Sequence, residues 1–375
     1  MGFVILFAVL AVGGLLAREF WLWYRLSHVP GPFWHAITGF SMARAALNGS
    51  VHEYYMELHE KYGEGWVSTP ACDPDTLKRI AAARSKYTKG EWYAVGRTTP
   101  GEDHLFSMRD EEKRKHLKSK MGPGYSGLEN GGFEAGIDKQ IAAFIDLIDT
   151  KYISTPNVFR PMDMASKSTY FALDVISELG FGHAYGFLRE DRDLYQYVAT
   201  KDAFFPVMIT MGNVPWLAKL MHSWPLNLGL PKSADSAGFG ALMGFAKTFV
   251  DGRLAPDTKP GKDMIQSFIN AGLTREELTQ EVYVETPERW IEAGNDNERF
   301  KMMIATTDLV FGFGKFYCMG RNIALMELNK IFVELLRRYD FAIAKPEKPL
   351  KLWSAGFWIT HDFWLRVSRR NGRGK

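Results

Sequence analysis

Cys318 lies within Phe311-Gly312-Phe313-Gly314-Lys315-Phe316-Tyr317-Cys318-Met319-Gly320, immediately ahead of a helical pattern that opens Arg321-Asn322-Ile323-Ala324. A thiolate that serves as a metal ligand must be held as an anion. A helix start favours this with partial positive charge and unpaired backbone N–H groups. Glycines on both sides let the backbone approach something flat and bulky without Cβ clashes. A single sulfur, with no second Cys or His nearby in the chain, cannot build a tetrahedral zinc site or an iron–sulfur cluster. It suits the one common cofactor that takes a single protein sulfur, a haem whose iron accepts an axial thiolate. An isolated Cys is as readily a small buried hydrophobe, so its surroundings have to decide. Other chemistry finds no foothold. Gly312-Phe313-Gly314-Lys315 has its glycines too close together for a phosphate loop, and Phe316 stands where that loop needs Ser or Thr. No His-Glu-x-x-His or nucleophile-elbow pattern occurs.

The elements that must position this loop come from 375 residues with 46% hydrophobic content, enough for one large core or two smaller ones. Lys and Arg number 46 against 43 Asp and Glu, with both signs interspersed, which argues against a nucleic-acid partner. The richest basic stretch, Lys113 to Lys120, reads as a solvated helix face. Two cysteines give no disulfide framework, so a reducing compartment is expected for the bulk of the chain. Helical patterns dominate: Val51 to Tyr62, Pro74 to Ser85, Glu102 to Met121 (broken by Gly122-Pro123-Gly124), Phe133 to Ile153, Ala165 to Leu179, Ala237 to Leu254 and Asp263 to Asn270. Thr274-Arg275-Glu276-Glu277 starts another, with a capping-box pattern one residue out of register. Lys201 to Leu230 is rich in Phe, Met, Trp and Pro. Leu352 to Arg369 alternates apolar and polar residues, as a closing strand pair does.

The amino terminus is apolar from Gly2 to Ala17 and then meets Arg18, Glu19 and the cluster Phe20-Trp21-Leu22-Trp23-Tyr24. The stretch is short for a spanning helix, but aromatics at one end match an interfacial belt. A secretory signal carries its positive charge before the apolar core; here Arg18 and Arg25 follow it, so an anchor is the expectation, with a cleaved signal as the competing reading. The positive-inside rule keeps the remainder cytosolic, where the sequon Asn48-Gly49-Ser50 would go unused. Val29-Pro30-Gly31-Pro32 reads as a stiff linker.

Phe311, Gly314, Cys318, Gly320 and Ala324 together give Phe-x-x-Gly-x-x-x-Cys-x-Gly-x-x-x-Ala, which resembles the haem-binding loop of cytochromes P450. Asp174 to Gly182 resembles the helix and turn ahead of the family's substrate roof. Pro287-Glu288-Arg289-Trp290 resembles the Pro-Glu-Arg-aromatic segment upstream of the haem loop. Tyr87 to Tyr93 and Met121 to Gly127 are similar to filamentous-fungal members of the pisatin-demethylase-like group. The loop departs in one place: the family's Arg or His two residues before the Cys is Phe316 here, with Lys315 next door as a substitute charge. The family's aromatic and basic pair that reaches a haem propionate maps to Arg114 and Lys118, of which Lys118 keeps the charge.

What the resemblance implies follows the family. The fold is expected to be mainly α with minor β, P450-like, behind an N-terminal transmembrane helix. It would lack the central oxygen-binding helix, because Val284 runs straight into Glu285-Thr286-Pro287, and the Glu-x-x-Arg helix as well. Residues 1–25 would form the anchor and interfacial segment, 26–36 the linker and 37–375 the haem domain, shortened near 63–66 and 284–285. Cys318 would ligate the iron of protoporphyrin IX. Phe311, Gly314, Lys315, Gly320, Ala324 and Lys118 would complete the cofactor site. Phe204, Phe205, Met208, Met211 and Trp216 would lie near a substrate channel. The implied activity is monooxygenation of a lipophilic small molecule in fungal secondary metabolism, with electrons from NADPH through a reductase, at the endoplasmic reticulum membrane. The alternative is a non-catalytic, truncated membrane-attached form with weak or no haem binding.

Overall fold

In the computed structural model the described residues are 39–62, 74–282 and 308–370, apart from isolated positions and a patchy run at 215–230, with scattered positions between 13 and 32. Among them the helices run α1 (Phe40–Asn48), α2 (Val51–Tyr62), α3 (Pro74–Ala81), α4 (Glu111–Ser126), α5 (Glu134–Leu147), α6 (Met164–Phe181), α7 (Phe187–Glu190), α8 (Tyr197–Gly212), α9 (Gly238–Arg253), α10 (Met264–Asn270), α11 (Arg275–Val282) and α12 (Arg321–Arg338). The strands are β1 (Met162–Asp163), β2 (Tyr339–Ile343), β3 (Lys351–Ser354), β4 (Trp358–His361) and β5 (Trp364–Arg369). Mainly α with minor β is therefore the observed class.

The main core sits where α5 and α6 pack together. Ile137, Ile141 and Phe144 recur at helical spacing on α5 and are almost fully buried. Phe144 lies against Phe171 of α6 with ring centroids 5.8 Å apart. Burying each such side chain contributes about 2 kcal/mol. At the end of α6 the chain reverses at Gly182, whose φ of 80° suits glycine. The Asp174 carboxylate then accepts from the N–H groups of Gly186, Phe187 and Leu188 at 2.7, 3.0 and 2.8 Å. That bridge caps α7 from an earlier helix. α12 packs its Ile323, Ile331 and Leu335 face toward α5, which carries the residues after Cys318 into the core.

β5 pairs antiparallel with β1 and β2, in the order β1-β5-β2, and β3 pairs with β4. This is the closing strand arrangement that the alternation of Leu352 to Arg369 announced.

Several boundaries differ from the sequence reading. α4 begins at Glu111, with Asp110 as its cap, rather than at Glu102. Residues before it turn around His104, which is fully buried, donates through Nε2 to Gly96 O at 2.8 Å and accepts the Phe106 N–H on Nδ1. Burial pushes this imidazole down to about 4, so it is neutral. The expected break at Gly122-Pro123-Gly124 is absent; α4 runs through Pro123 to Ser126. A helix-interior proline costs a hydrogen bond, but Gly124 lets the ring of Phe268 pack directly on the α4 backbone. Thr274 and Glu277 form a capping box in register: Thr274 N–H donates to Glu277 Oε2 at 2.9 Å and Glu277 N–H to Thr274 Oγ1 at 3.2 Å.

Of the residues expected at a substrate channel, Met208 and Phe205 have packing neighbours and Met211 is buried. Met208 joins Ile209 against Met42, Ala45 and Ala46 of α1, and Phe205 stacks on Phe357 at 5.9 Å. Trp216 lies outside the described residues. Residues 13, 14, 17, 18, 20, 21 and 23–25 are helical, with Phe20, Trp21 and Tyr24 exposed. No described helix is long and apolar enough to cross a membrane, and residues 1–12 of the expected anchor lie outside the described residues. The segments at 63–73 and 283–307, including Pro287-Glu288-Arg289-Trp290, do so as well.

Candidate cofactor site

The Cys318 loop is built from short backbone turns. Phe316 N–H donates to Phe313 O at 3.0 Å, Tyr317 N–H to Gly314 O at 3.2 Å, and Cys318 N–H closes the loop on Phe311 O at 2.6 Å. Two glycines make this path possible. Gly312 and Gly314 have φ of 72° and 54°. A Cβ on Gly314 would collide with the carbonyl oxygen of Ala81 at the end of α3, and one on Gly312 with Phe316 O. Gly320 caps α12, and Ala324 N–H donates to Gly320 O at 3.0 Å, so Ala324 completes the first turn. The position where a Gly320 Cβ would stand is 3.9 Å from Cys318 Sγ. The sulfur is therefore beside the start of α12. Cys318 is exposed, as are Phe313 and Tyr317 on the same loop.

α4 faces this loop with cations. Lys113, Lys115 and His116 are exposed, as a solvated face requires, but Arg114 and Lys118 turn inward. Arg114 is 4% exposed; its Nη1 donates to Lys315 O at 2.8 Å and its Nη2 to Glu111 Oε2 at 2.5 Å. Lys118 Nζ donates to Tyr317 O at 2.6 Å and Lys315 O at 3.3 Å. Burial and then Arg114 lower the Lys118 pKa, while the Cys318 sulfur opposes them. Charge at Cys318 and charge at Lys118 thus feel each other. Phe316 fills the place of the family's Arg or His and lies under the Arg114 guanidinium, 5.1 Å from ring centroid to carbon. Lys315 points elsewhere: its Nζ donates to Ser85 O at 3.1 Å and to Tyr87 O, and Glu111 Oε2 lies 3.8 Å away. It staples the loop to residues 85–87.

A profile of the family described as Cytochrome P450 matches residues 29–286 and 284–360. That is well over half of the chain. The chain belongs to the cytochrome P450 family. It is 27% identical to cytochrome P450 monooxygenase ABA1 of Pyricularia oryzae over 480 aligned positions, covering 92% of this chain and 93% of the relative. It is 26% identical to aba1 of Botryotinia fuckeliana over 473 positions, covering 92% of each. It is 34% identical to abl1 of Leptosphaeria maculans over 261 positions, covering 68% of this chain and 46% of the relative. The 480 positions exceed the 375 residues of this chain by more than a hundred, so the alignment carries long gaps on this side. The two matched pieces meet at 284–286, where the sequence runs from Val284 directly into Glu285.

The residues present fit the P450 haem. One exposed sulfur at a helix start would supply the axial thiolate. Arg114 Nε is buried with no hydrogen-bond partner, a costly state that an incoming acceptor would relieve. Cys318 would hold the iron, Arg114 and Lys118 the propionates, and Gly312 and Gly314 the loop that brings the sulfur forward. Phe311 contributes the carbonyl that closes this loop.

Sequence reasoning passed over three titratable groups that burial shifts. Glu281 on α11 accepts the Leu105 N–H at 2.6 Å, and burial pushes it up to about 7. Glu327 on α12 is 8% exposed and pushed up to about 8 by burial alone. Lys89, inside the Tyr87 to Tyr93 segment, is held down to about 8 by burial and then by Arg114. The segment was visible in the sequence; that its lysine turns inward was not.

Proposed function

We propose that this P450 oxidises a lipophilic small molecule of fungal secondary metabolism, with electrons from NADPH delivered by a reductase. The observation that carries the reading is the exposed Cys318 sulfur beside the start of α12, on a loop closed through Phe311 and clamped by Arg114 and Lys118. When bound, the haem supplies the oxidising chemistry, and thiolate donation to iron favours O–O cleavage. The chain's own share is to hold the thiolate as an anion, fix its direction and balance the propionate charge. The filamentous-fungal relatives, all monooxygenases by name, support the secondary-metabolic setting. Residues 1–25 would attach the protein to the endoplasmic reticulum membrane, with the haem domain in the cytosol.

A second reading has its own observation. The family match divides at 284–286 and the longest alignments carry gaps of more than a hundred positions. A P450 shortened there would lack the oxygen-binding helix and the Glu-x-x-Arg helix, would bind haem weakly or not at all, and would not turn over.

One pair of measurements tests both. The ferrous–CO spectrum of the purified protein should show the thiolate-type Soret shift; its absence overturns the monooxygenase reading. NADPH-dependent oxidation of a lipophilic substrate panel with a fungal reductase should then follow. Weak or absent haem retention without turnover selects the shortened, non-catalytic form.

A further inference from the structure

Among the described residues around the loop, cations outnumber the carboxylates that pair with them. Lys89 is the least explained member. Its Nζ donates to Leu105 O at 3.0 Å and to Phe106 O at 2.6 Å, and lies 4.8 Å from the Tyr93 ring centroid. An ammonium carries three donors, so these two carbonyls fix its position and leave one N–H. Among the described residues no carboxylate lies within 4.0 Å of it. Its electrostatic neighbours include Arg114 and Lys118, which repel it, and Glu111 and Glu281, which attract it. Glu111 is already engaged by Arg114, and Glu281, pushed up to about 7, is only a partial anion at neutral pH. Lys315 donates to Ser85 O and Tyr87 O and, unlike Lys89, has a carboxylate beside it, Glu111 Oε2 at 3.8 Å. Phe316 brings no charge. Among the described residues, a half-buried ammonium without a counter-ion and a buried guanidinium Nε without a partner therefore share one neighbourhood.

We propose that Lys89 pairs with a propionate of the bound haem, beside Arg114 and Lys118, and takes over the charge that the family places two residues before the ligand cysteine. This rests on the haem-thiolate reading and deepens it. The carbonyl cage of Leu105 and Phe106 holds the ammonium in place before the pigment arrives, so little side-chain entropy is lost on binding. Without a propionate partner the same cage would make Lys89 a staple for residues 105–106 and nothing more. The two roles predict different behaviour when the pigment changes and the protein does not.

The test compares haem with its dimethyl ester, which has the same ring and iron but no propionate charge. Wild-type protein and Lys89→Met are each loaded with both pigments, and transfer to excess apomyoglobin is timed. Lys89→Met is expected to release haem about tenfold faster than wild type, the scale of one lost charged hydrogen bond. It should release the dimethyl ester at the wild-type rate. Lys89→Arg should retain haem as wild type does. Lys89→Gln, whose amide can still donate to a carbonyl, takes the place of Lys89→Met if that variant does not fold. Equal acceleration with both pigments, or no acceleration with haem, overturns the proposal. Wild-type protein that holds haem without the thiolate Soret shift overturns the proposed function alone; wild-type protein that holds no haem overturns both.

Discussion

The α5–α6 core and the Cys318 neighbourhood handle buried polar groups in opposite ways. In the core, the Asp174 carboxylate is 1% exposed and meets three backbone N–H groups within 3.0 Å. Around Cys318, Arg114 is almost as buried, yet its Nε has no partner, and Lys89 faces two other cations. Unmet groups cost stability. Asp174 closes its own hydrogen bonds, whereas Arg114 Nε, like Arg253 Nε in the scaffold, is left open among the described residues. The sharpest way to break this contrast is Cys318→Ser. It should abolish the thiolate Soret shift altogether while the thermal midpoint of the haem-free protein stays put, because an exposed side chain supports no core. A drop in that midpoint comparable to a core mutation would erase the distinction.

Glu327 sits where the two regions meet, on the helix that starts beside Cys318 and packs into the core between Ile323 and Ile331. Its carboxyl is raised from 4.5 to about 8 in the fold. The folded state therefore holds a proton that the unfolded chain gives up. This contribution is fully present below about pH 4.5 and is lost as pH rises toward 8, on the order of 5 kcal/mol. Glu327→Gln should flatten that slope in urea titrations between pH 5 and 8, and be the more stable protein at pH 8. An unchanged slope would mean that the helix opens to water and that this end of the core belongs with the site.

Asp174→Ala should cost about 2 kcal/mol, since three N–H groups lose their acceptor and little water can replace it. The urea midpoint reads this directly. Haem-free protein should show the full loss, and the ferrous–CO band shape of the surviving holoprotein should not move. A changed band would show that the core and the thiolate loop are mechanically one unit.

Much of the scaffold was legible because apolar spacing is local information. Ile137, Ile141 and Phe144 announced α5, and the alternation after Leu352 announced the closing strands. The turn around His104 was not, since a buried imidazole that organises backbone N–H groups looks like any polar residue in a charged helical pattern. The run of α4 through Pro123 depends on Phe268, far away in sequence. In the site, Phe311, Gly314, Cys318, Gly320 and Ala324 could be read from their spacing. Arg114 and Lys118 were found as a pair, but their inward turn and the diversion of Lys315 to Ser85 O depend on tertiary contacts. Charge balance between segments that are distant in sequence leaves no periodic trace, which is why Lys89 went unnoticed.

The smallest effect sharpens the border between scaffold and site. α11 leads toward residues 283–307, yet Leu278 is fully buried in the main core and Lys120 of α4 reaches Gly272 O at 3.0 Å and Glu277 Oε2 at 3.7 Å. Thr274→Ala removes half of the capping box and should cost about 1 kcal/mol. If α11 is scaffold, the loss will appear in the global urea midpoint, and amide exchange along 275–282 will quicken only as far as global unfolding quickens. If exchange there rises while the midpoint holds, α11 opens by itself. The boundary would then fall before Thr274 instead of after Val282.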